Sequence, residues 1–538
     1  MTDASDSRTT GGQVAISAAL FDTDGVVTDT AVAHADAWKR LFDGFLEARA
    51  NRLGVPFEPF DSRLDYRRHV DGKPRKDGVE SFLAARDIEV PYGNDDDGPE
   101  AETVCGLARR KDGYFQQWLE DNRVQAYPGT VRLIRALRAA GVTVGVFSAS
   151  RNAAEVLQNA GVLELFDARC DGSDAAELAL SGKPDPAMLF ELARRLGVDP
   201  ASSLVIEDAI AGVRAGAEGE FGMVVGVARA EDETDALAAA GAHLVVNDLS
   251  ELRLARVRGE SPGDGQVTVE LKTLATLPDI SDSPEMLREQ LRGQKLASFL
   301  DYDGTLTPIV RDHSQALLDE TMRRAVDNLS RHALVTIVSG RDLTRLKNLV
   351  KLDGVIYVGS HGFEIHGPPS TNMFFELGTE FLPELDRLEA TLGETLADIE
   401  GHALERKRFS LAVHYRSVAK DDVSRLRGLV DDALEEHPGL RLGHGKRVFE
   451  IRPDLAWGKG HAVLRVLELM FHEQPLVIYI GDDITDEDAF HMLAGRGLCI
   501  AVRHDENRPT AADFTVADTE AVRRLLETIT GLMTADRH

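Results

Sequence analysis

Two short stretches pair carboxylates in a way that phosphoryl chemistry could use: Asp22-Thr23-Asp24-Gly25 and Asp301-Tyr302-Asp303-Gly304. Each follows an apolar run, Ala18-Ala19-Leu20-Phe21 in one case and Ala297-Ser298-Phe299-Leu300 in the other. Such runs read as buried strands, and the strand period aims the first and third residues of each motif the same way. One carboxylate can then attack phosphorus while the other handles the leaving-group proton. A carboxylate attacks a phosphate dianion only when the surrounding negative charge is neutralised, so each motif needs supporting residues.

The first supporting set follows in chain order. Ser148 stands in Phe147-Ser148-Ala149-Ser150, Lys183 in Gly182-Lys183-Pro184-Asp185, and the Glu207-Asp208 pair directly after Leu204-Val205-Ile206. Strand-like segments at 142–147, 203–206 and 223–227 alternate with helical ones at 131–140 and 186–196, which predicts a doubly wound parallel sheet. The carboxyl ends of such strands share one crevice, where these groups converge. One Mg2+ held by Asp22, Asp208 and the backbone carbonyl of Asp24, with Glu207 a further candidate ligand, supplies neutralisation together with Lys183 and the Ser148 hydroxyl.

This order resembles the haloacid dehalogenase superfamily. Phe21-Asp22-Thr23-Asp24-Gly25-Val26-Val27-Thr28-Asp29-Thr30, followed by His34 and Trp38, is similar to the first motif of its beta-phosphoglucomutase-like group. The resemblance implies a helical cap at about 33–125, in the gap between Asp22 and Ser148, with a substrate loop from His69 to Gly78. It implies that Arg75, Ser150, Arg151 and Asn152 grip the substrate's non-transferring phosphate, and that His34 couples cap closure to proton transfer. Two readings stay open for this half. One is an isomerase or phosphatase acting on a hexose phosphate; the other is a quiet module that binds sugar phosphate or packs against the other half.

The second set is spaced differently. Asp301 and Ser339 stand 38 positions apart, too few for a cap, whereas 120 positions separate Ser339 from Lys459. A recent tandem duplication would keep one insertion point, so the halves read as a fusion of distant relatives. The motifs are Ser339-Gly340-Arg341, Gly458-Lys459-Gly460 and Gly481-Asp482-Asp483-Ile484-Thr485-Asp486-Glu487-Asp488. The last follows a strand-like run at 477–480 and suits a hard cation. Further strands are predicted at 334–338 and 355–358.

This half resembles the trehalose-6-phosphate phosphatase family over most of 295–526, through Gly359-Ser360-His361-Gly362, Leu404-Glu405-Arg406-Lys407, His414-Tyr415-Arg416 and Phe449-Glu450-Ile451-Arg452-Pro453. The resemblance implies that Asp301 is the nucleophile and Asp303 the general acid and base. Asp301, the Asp303 carbonyl and Asp482 would hold a second Mg2+, and Ser339 and Lys459 would stabilise the phosphoryl oxygens. Glu405, Lys407 and Glu450 would hydrogen-bond the sugar hydroxyls, with Arg341 and Arg416 also binding substrate. His361 and His414 leave both structural and substrate-touching roles open. The implied activity is Mg2+-dependent hydrolysis of trehalose 6-phosphate through an aspartyl-phosphate; a phosphatase for another glycosyl phosphate, such as sucrose phosphate, is the alternative. The implied fold is α/β: two Rossmann-like doubly wound parallel-sheet cores, the first with the helical cap, the second with an α/β cap at about 365–455.

Composition bounds the partners. The 538-residue chain has 43% hydrophobic and 28% charged residues, as an ordinary globular protein does. At roughly 150 residues per domain, its length allows three or four units. A net charge of −29 argues against nucleic acid and acidic membrane surfaces, so a sugar phosphate must be drawn in by locally placed Lys and Arg. Cys105, Cys170 and Cys499 have no CxxC spacing and read as small core residues in a reducing cytoplasm. Residues 1–13 are expected to be a disordered tail, and no apolar run approaches the about 18 residues of a membrane span. The Gly/Pro/charge cluster at 257–265 predicts a tethering linker at 256–270 between domains at 14–255 and 271–535. Asp95-Asp96-Asp97 reads as a solvated loop. Oligomeric state is not legible.

Overall fold

The apolar runs before both Asp-x-Asp-Gly motifs form inner strands of two separate sheets. The computed structural model describes residues 14–256, 267–310, 316–504 and 507–535, apart from Arg63, Asp71, Gly72, Glu231, Asp232 and Lys446. The expected disordered tail and residues 257–266 of the expected linker lie outside the described residues. The chain divides into two units, Met1–Leu271 and Lys272–His538. Each unit holds one core with its own cap.

In the first unit, strands β1 (Ala18–Asp22), β2 (Thr143–Phe147), β3 (Ala168–Cys170), β4 (Ser203–Glu207), β5 (Met223–Val227) and β6 (Leu244–Val246) form an all-parallel sheet in the order β3-β2-β1-β4-β5-β6. Both faces are covered, which explains the unbroken apolar runs. Ala19 and Phe21 pack with Ile134, Val144 and Ile206 on one face, while Ala18 and Leu20 pack with Phe147, Leu192 and Val205 on the other.

The cap enters between the first two strands through a short ribbon that pairs Thr28–Asp29 with Gln125–Ala126. Its helices are α1 (Ala31–Leu53), α2 (Arg75–Ala85) and α3 (Val104–Asp121), packed around Trp38, Phe42, Phe60 and Phe82.

The unit closes with an antiparallel pair, β7 (Leu252–Arg256) and β8 (Val267–Leu271), and Ile16 bridges to Val267. Strand β8 occupies the end of the segment expected to be linker. Its Val267 and Val269 alternate into the core, and that burial draws the segment into the fold.

In the second unit, strands β9 (Leu296–Asp301), β10 (Leu334–Val338), β11 (Ile356–Gly359), β12 (Glu364–His366), β13 (Phe374–Glu376), β18 (Leu476–Gly481), β19 (Leu498–Val502) and β20 (Phe514–Val516) form one sheet. The order is β13-β12-β11-β10-β9-β18-β19-β20, parallel except for the β11-β12-β13 edge. The core sheet thus claims residues up to Glu376 that were expected to belong to a cap starting near 365. The cap is a separate antiparallel sheet of β14 (Ala403–Lys407), β15 (Ser410–His414), β16 (Leu440–Gly445) and β17 (Val448–Pro453), with helices α4 (Leu382–Thr395) and α5 (Lys420–Glu435). Burial alternates along β17, so Phe449 and Ile451 pack with the helices while Glu450 lies on the other face. Among the described residues, no helix is long and apolar enough to cross a membrane.

Candidate active sites

Strands β1, β2 and β4 end side by side at Asp22, Phe147 and Glu207, which brings the first supporting set together. Lys183 Nζ donates to Asp22 Oδ1 at 2.6 Å and also to Glu207 Oε1. Ser148 Oγ lies 3.4 Å from Asp24 Oδ2 and accepts from the Ser150 amide at 3.0 Å. Gly25 has φ +78°, and a Cβ there would stand 1.7 Å from Asp208 Oδ2, so the motif's glycine leaves room for the acid opposite. Burial raises the Asp22 and Asp208 carboxyls well above the usual range, and neighbouring acids add to it. Burial opposes the Lys183 ammonium, but Asp22 and Glu207 outweigh it and raise its pKa.

Asp24 is engaged from the cap side. It accepts from Thr30 Oγ1, and His34 Nε2 stands 3.6 Å from its Oδ1. His34 stacks on Phe115 with ring centroids 4.3 Å apart, and its Nδ1 lies 2.8 Å from Lys111 Nζ. Burial alone would raise Asp24, but the hydrogen bonds and charge of this network win and hold it at about 2. Burial, with Arg75 nearby, pushes Lys111 down to about 7.

Lys111 escapes the sequence reading. Its signal was a lone charge on an apolar stripe, Leu107-Lys111-Phe115-Leu119, all buried on α3. Of the expected phosphate grip, Arg75 pairs with Asp112, and Asn152 Nδ2 donates to the same Asp112 Oδ1 at 3.0 Å. Ser150 Oγ accepts from the Asn152 amide at 3.2 Å, whereas the exposed Arg151 makes none of these contacts. Asp71 and Gly72 of the expected substrate loop lie outside the described residues.

The second unit repeats the scheme. Lys459, the first residue of α6 (Lys459–Met470), is buried and donates to Asp301 Oδ1 at 2.6 Å and to Asp486 Oδ1 at 2.7 Å. Gly304, at φ +86°, leaves space that Asp482 fills, since a Cβ there would lie 2.1 Å from Asp482 Oδ2. Burial raises Asp301, with Asp486 adding to it, and burial likewise raises Asp482 against the pull of His504 Nε2, 3.1 Å from its Oδ2.

Asp486 is fully buried on α7 (Ile484–Leu493). Its Oδ1 accepts from Lys459 and, at 2.7 Å, from Tyr479 OH; its Oδ2 accepts from the amides of Asp482 and Asp483 at 3.1 Å. Those bonds use the four acceptor positions of a carboxylate. In the sequence Asp486 stands only as one acid of its motif, because this role needs the turn that aims it at Lys459.

Arg341 is 8% exposed and clamps Asp303, donating from Nε to Oδ2 at 2.7 Å and from Nη2 to Oδ1 at 2.5 Å. Its Nη1 is buried with no hydrogen-bond partner among the described residues. The Arg341 amide donates to Ser339 Oγ at 3.1 Å.

In the cap, Lys407 Nζ and Ser410 Oγ donate to Glu450 Oε1 at 3.0 and 3.2 Å, and His361 Nε2 from the core lies 3.2 Å from Glu450 Oε2. Glu405 pairs with His414 Nε2 at 2.9 Å, and that hydrogen bond holds its carboxyl down at about 2. His361 and His414 therefore both brace expected sugar-binding acids. Arg416 is exposed and joins none of these contacts.

Both clusters suit a hard divalent cation. The carboxylate oxygens of Asp22, Glu207 and Asp208, and those of Asp301, Asp482 and Asp486, lie within 4.8 Å of one another. Each set opposes three carboxylates with one lysine in a buried place, so a divalent charge relieves the excess. The saturated Asp486 has no acceptor position left, which leaves Asp301 and Asp482 as the side chains available in the second unit.

Comparison with known proteins agrees with this division. Residues 299–520 match the trehalose-phosphatase family and residues 16–219 the haloacid dehalogenase-like hydrolases. The chain is 45% identical over 248 residues to a beta-phosphoglucomutase of Mycobacterium bovis, covering 46% of this chain and 95% of that protein. It is 36% identical over 403 residues to the trehalose-phosphate phosphatase of Mycobacterium leprae, covering 72% of this chain and 88% of that protein. It is also 37% identical over 504 residues, 92% of its length, to an uncharacterized glycosyl hydrolase of Mycobacterium tuberculosis, of which it spans only 36%. With the phosphatase relative covered almost end to end, the chain belongs to the trehalose-phosphatase family, and in front of that half it carries a haloacid dehalogenase-like unit related to the beta-phosphoglucomutases.

Proposed function

We propose that the second unit is a phosphoric monoester hydrolase that converts trehalose 6-phosphate and water to trehalose and phosphate. Asp301 Oδ attacks phosphorus, the bond to the sugar's O6 breaks, and Asp303 gives that oxygen a proton. Water then attacks the aspartyl-phosphate, Asp303 takes its proton, and inorganic phosphate leaves Asp301. Asp303 serves both steps once its carboxyl turns from Arg341 towards the reacting oxygens. Lys459 and the Ser339 hydroxyl stabilise the phosphoryl oxygens, and Arg341 Nη1 is a further buried donor for them. Mg2+ would be held by Asp301, Asp482 and the Asp303 carbonyl, where it would neutralise charge on the phosphoryl group.

The observation that carries the substrate is the cluster of Glu405, Lys407 and Glu450 on a cap tied through His361 to the same core. Carboxylates accept from neutral sugar hydroxyls and lysine donates back. Asp301→Asn should abolish phosphate release from trehalose 6-phosphate with the circular dichroism spectrum unchanged. Continued release would sink the nucleophile; better turnover of sucrose 6-phosphate would favour the alternative glycosyl phosphate.

For the first unit we propose acid–base phosphoryl transfer on a hexose phosphate, with Asp22 the nucleophile and Asp24 the proton carrier. Mg2+ would be held there by Asp22, Asp208 and the Asp24 carbonyl. The Lys111–His34–Asp24 network favours this over a quiet module, since a binding module has no need to tune a proton carrier. In the Asp301→Asn chain, conversion of beta-glucose 1-phosphate to glucose 6-phosphate with a trace of the 1,6-bisphosphate would mark a mutase. Phosphate release alone would mark a phosphatase, and no turnover would leave the module.

A further inference from the structure

On the core edge of the second unit, Glu364 of β12 and Glu376 of β13 are directly opposite cross-strand partners. Like charges in that register repel, and Glu364 is only 3% exposed, so the pair requires a cation. The cation comes from the cap. Arg408, in the turn between β14 and β15, places Nη1 2.9 Å and Nη2 3.0 Å from the two Glu376 oxygens, and Nη1 3.7 Å from Glu364 Oε1. The next residue, Phe409, is buried and stacks on Phe363 of the core, with centroids 5.7 Å apart and planes 14° apart. The hairpin that carries Glu405 and Lys407 is therefore anchored at its turn by one fork and one ring.

The socket beneath leads straight to the phosphate site. Glu364 Oε2 accepts from Ser360 Oγ at 2.7 Å and from the Leu343 amide at 3.3 Å. Ser360, His361 and Gly362 are three consecutive residues in the left-handed region, at φ 51°, 56° and 105°. Such a run persists only where its surroundings over-determine it. The Ser360 amide donates to the Arg341 carbonyl at 2.7 Å, and the His361 amide donates to the Ser339 carbonyl at 3.1 Å. The cap turn thus bears on the strained segment, and the strained segment bears on Ser339 and Arg341.

We propose that Arg408 and Phe409 form the pivot of the cap, and that Arg408 is a positioning residue which registers the sugar-binding hairpin on the phosphoryl-binding loop. The inference rests on the phosphatase reading of this unit and deepens it. A substrate without a sugar gains nothing from the pivot; a sugar phosphate must be gripped at both ends and depends on it.

The test compares two substrates on the full-length chain. Arg408→Gln should lower kcat/KM for trehalose 6-phosphate about tenfold, mainly through KM, because a small misplacement of a gripping group is costly. Hydrolysis of p-nitrophenyl phosphate should stay at the wild-type level. Exchanging the charges, Arg408→Glu with Glu376→Arg, should recover most of the loss. Equal losses on both substrates, or no loss on the sugar phosphate, would overturn the pivot. If the wild-type chain releases nothing from trehalose 6-phosphate, the substrate reading fails and amide exchange decides the pivot. Arg408→Gln should then speed exchange at 360–363 together with the hairpin at 403–414, and unchanged exchange at 360–363 would refute it.

Discussion

Gly212 and Asp486 occupy the same step of the same turn in the two units, yet one has no side chain and the other holds Lys459. The registers Phe21 to Ile206 and Leu300 to Ile480 align Glu207 with Gly481, and hence Gly212 with Asp486. In the first unit the strand supplies the acid: a Cβ on Gly212 would lie 1.8 Å from Glu207 Oε1. In the second unit the helix supplies it: a Cβ on Gly481 would lie 2.4 Å from Asp486 Cγ. Acid and glycine have exchanged places around a lysine that stays where it was.

This exchange makes a compensating pair. Asp486→Gly should cost on the order of 10²-fold in phosphate release, because Lys459 loses the acid that aims it. Gly481→Glu should fail too, for lack of room beside Asp486. The double variant rebuilds the first unit's arrangement and should recover a measurable part of the activity in a phosphate-release assay. A double variant whose loss is the product of the two single losses would show that the two positions are independent.

The charge state of Lys111 should be visible in the pH dependence of stability. Its folded value of about 7 lies below the ordinary 10.5. Between those values the unfolded chain holds a proton that the folded chain releases, so the stability of the first unit should rise with pH across that window. Lys111→Met should flatten the rise and stabilise the unit at pH 6 by on the order of a few kcal/mol, while slowing turnover of beta-glucose 1-phosphate. Urea midpoints measured at intervals from about pH 6 to pH 10 check the sign.

Mg2+ should discriminate Asp482 from Asp486. Added to the chelated chain at about a hundred times its dissociation constant, it should stabilise each unit by about 2.7 kcal/mol, read as a rise in unfolding temperature. Asp482→Asn should lose the rise belonging to the second unit. Asp486→Asn should keep it, since the Asp486 oxygens are taken by Lys459, Tyr479 and two amides.

Glu405 remains a carboxylate far into acid because the hydrogen bond from His414 holds it at about 2. Glu405→Gln should therefore raise KM for trehalose 6-phosphate several-fold at neutral pH with little change in kcat, as the loss of a binding contact does. Initial-rate kinetics would expose a different role if kcat fell instead.

Much of the site was legible because its residues lie at the ends of apolar runs. Asp22, Glu207 and Asp301 close strands whose burial on both faces makes the run unbroken, and strand ends converge in this topology. Lys183 lies in a turn between Gly and Pro, Lys459 opens a helix between two glycines, and chain order alone singles both out. What escaped depends on side-chain reach. Lys111 is read as part of a helix face, Asp486 as part of an acidic turn, and Arg408 as a hairpin charge until the fold shows what each touches. Arg151 and Arg416 stay exposed to solvent, since a basic residue beside a motif costs nothing to leave there. The β13 edge was missed because Phe374-Phe375-Glu376 is too short a run to separate core from cap.

Strand β8 decides where this chain can be divided. A fragment ending at residue 255, the boundary that the Gly/Pro cluster suggests, would strip β7 of its neighbour and uncover Leu252 and Leu254 along an open edge. Such a protein would be expected to precipitate, and its silence in an assay would say nothing about the chemistry of Asp22. Cut after Leu271, the same unit keeps its last strand and the bridge from Val267 back to Ile16, so its beginning and end remain fastened to each other.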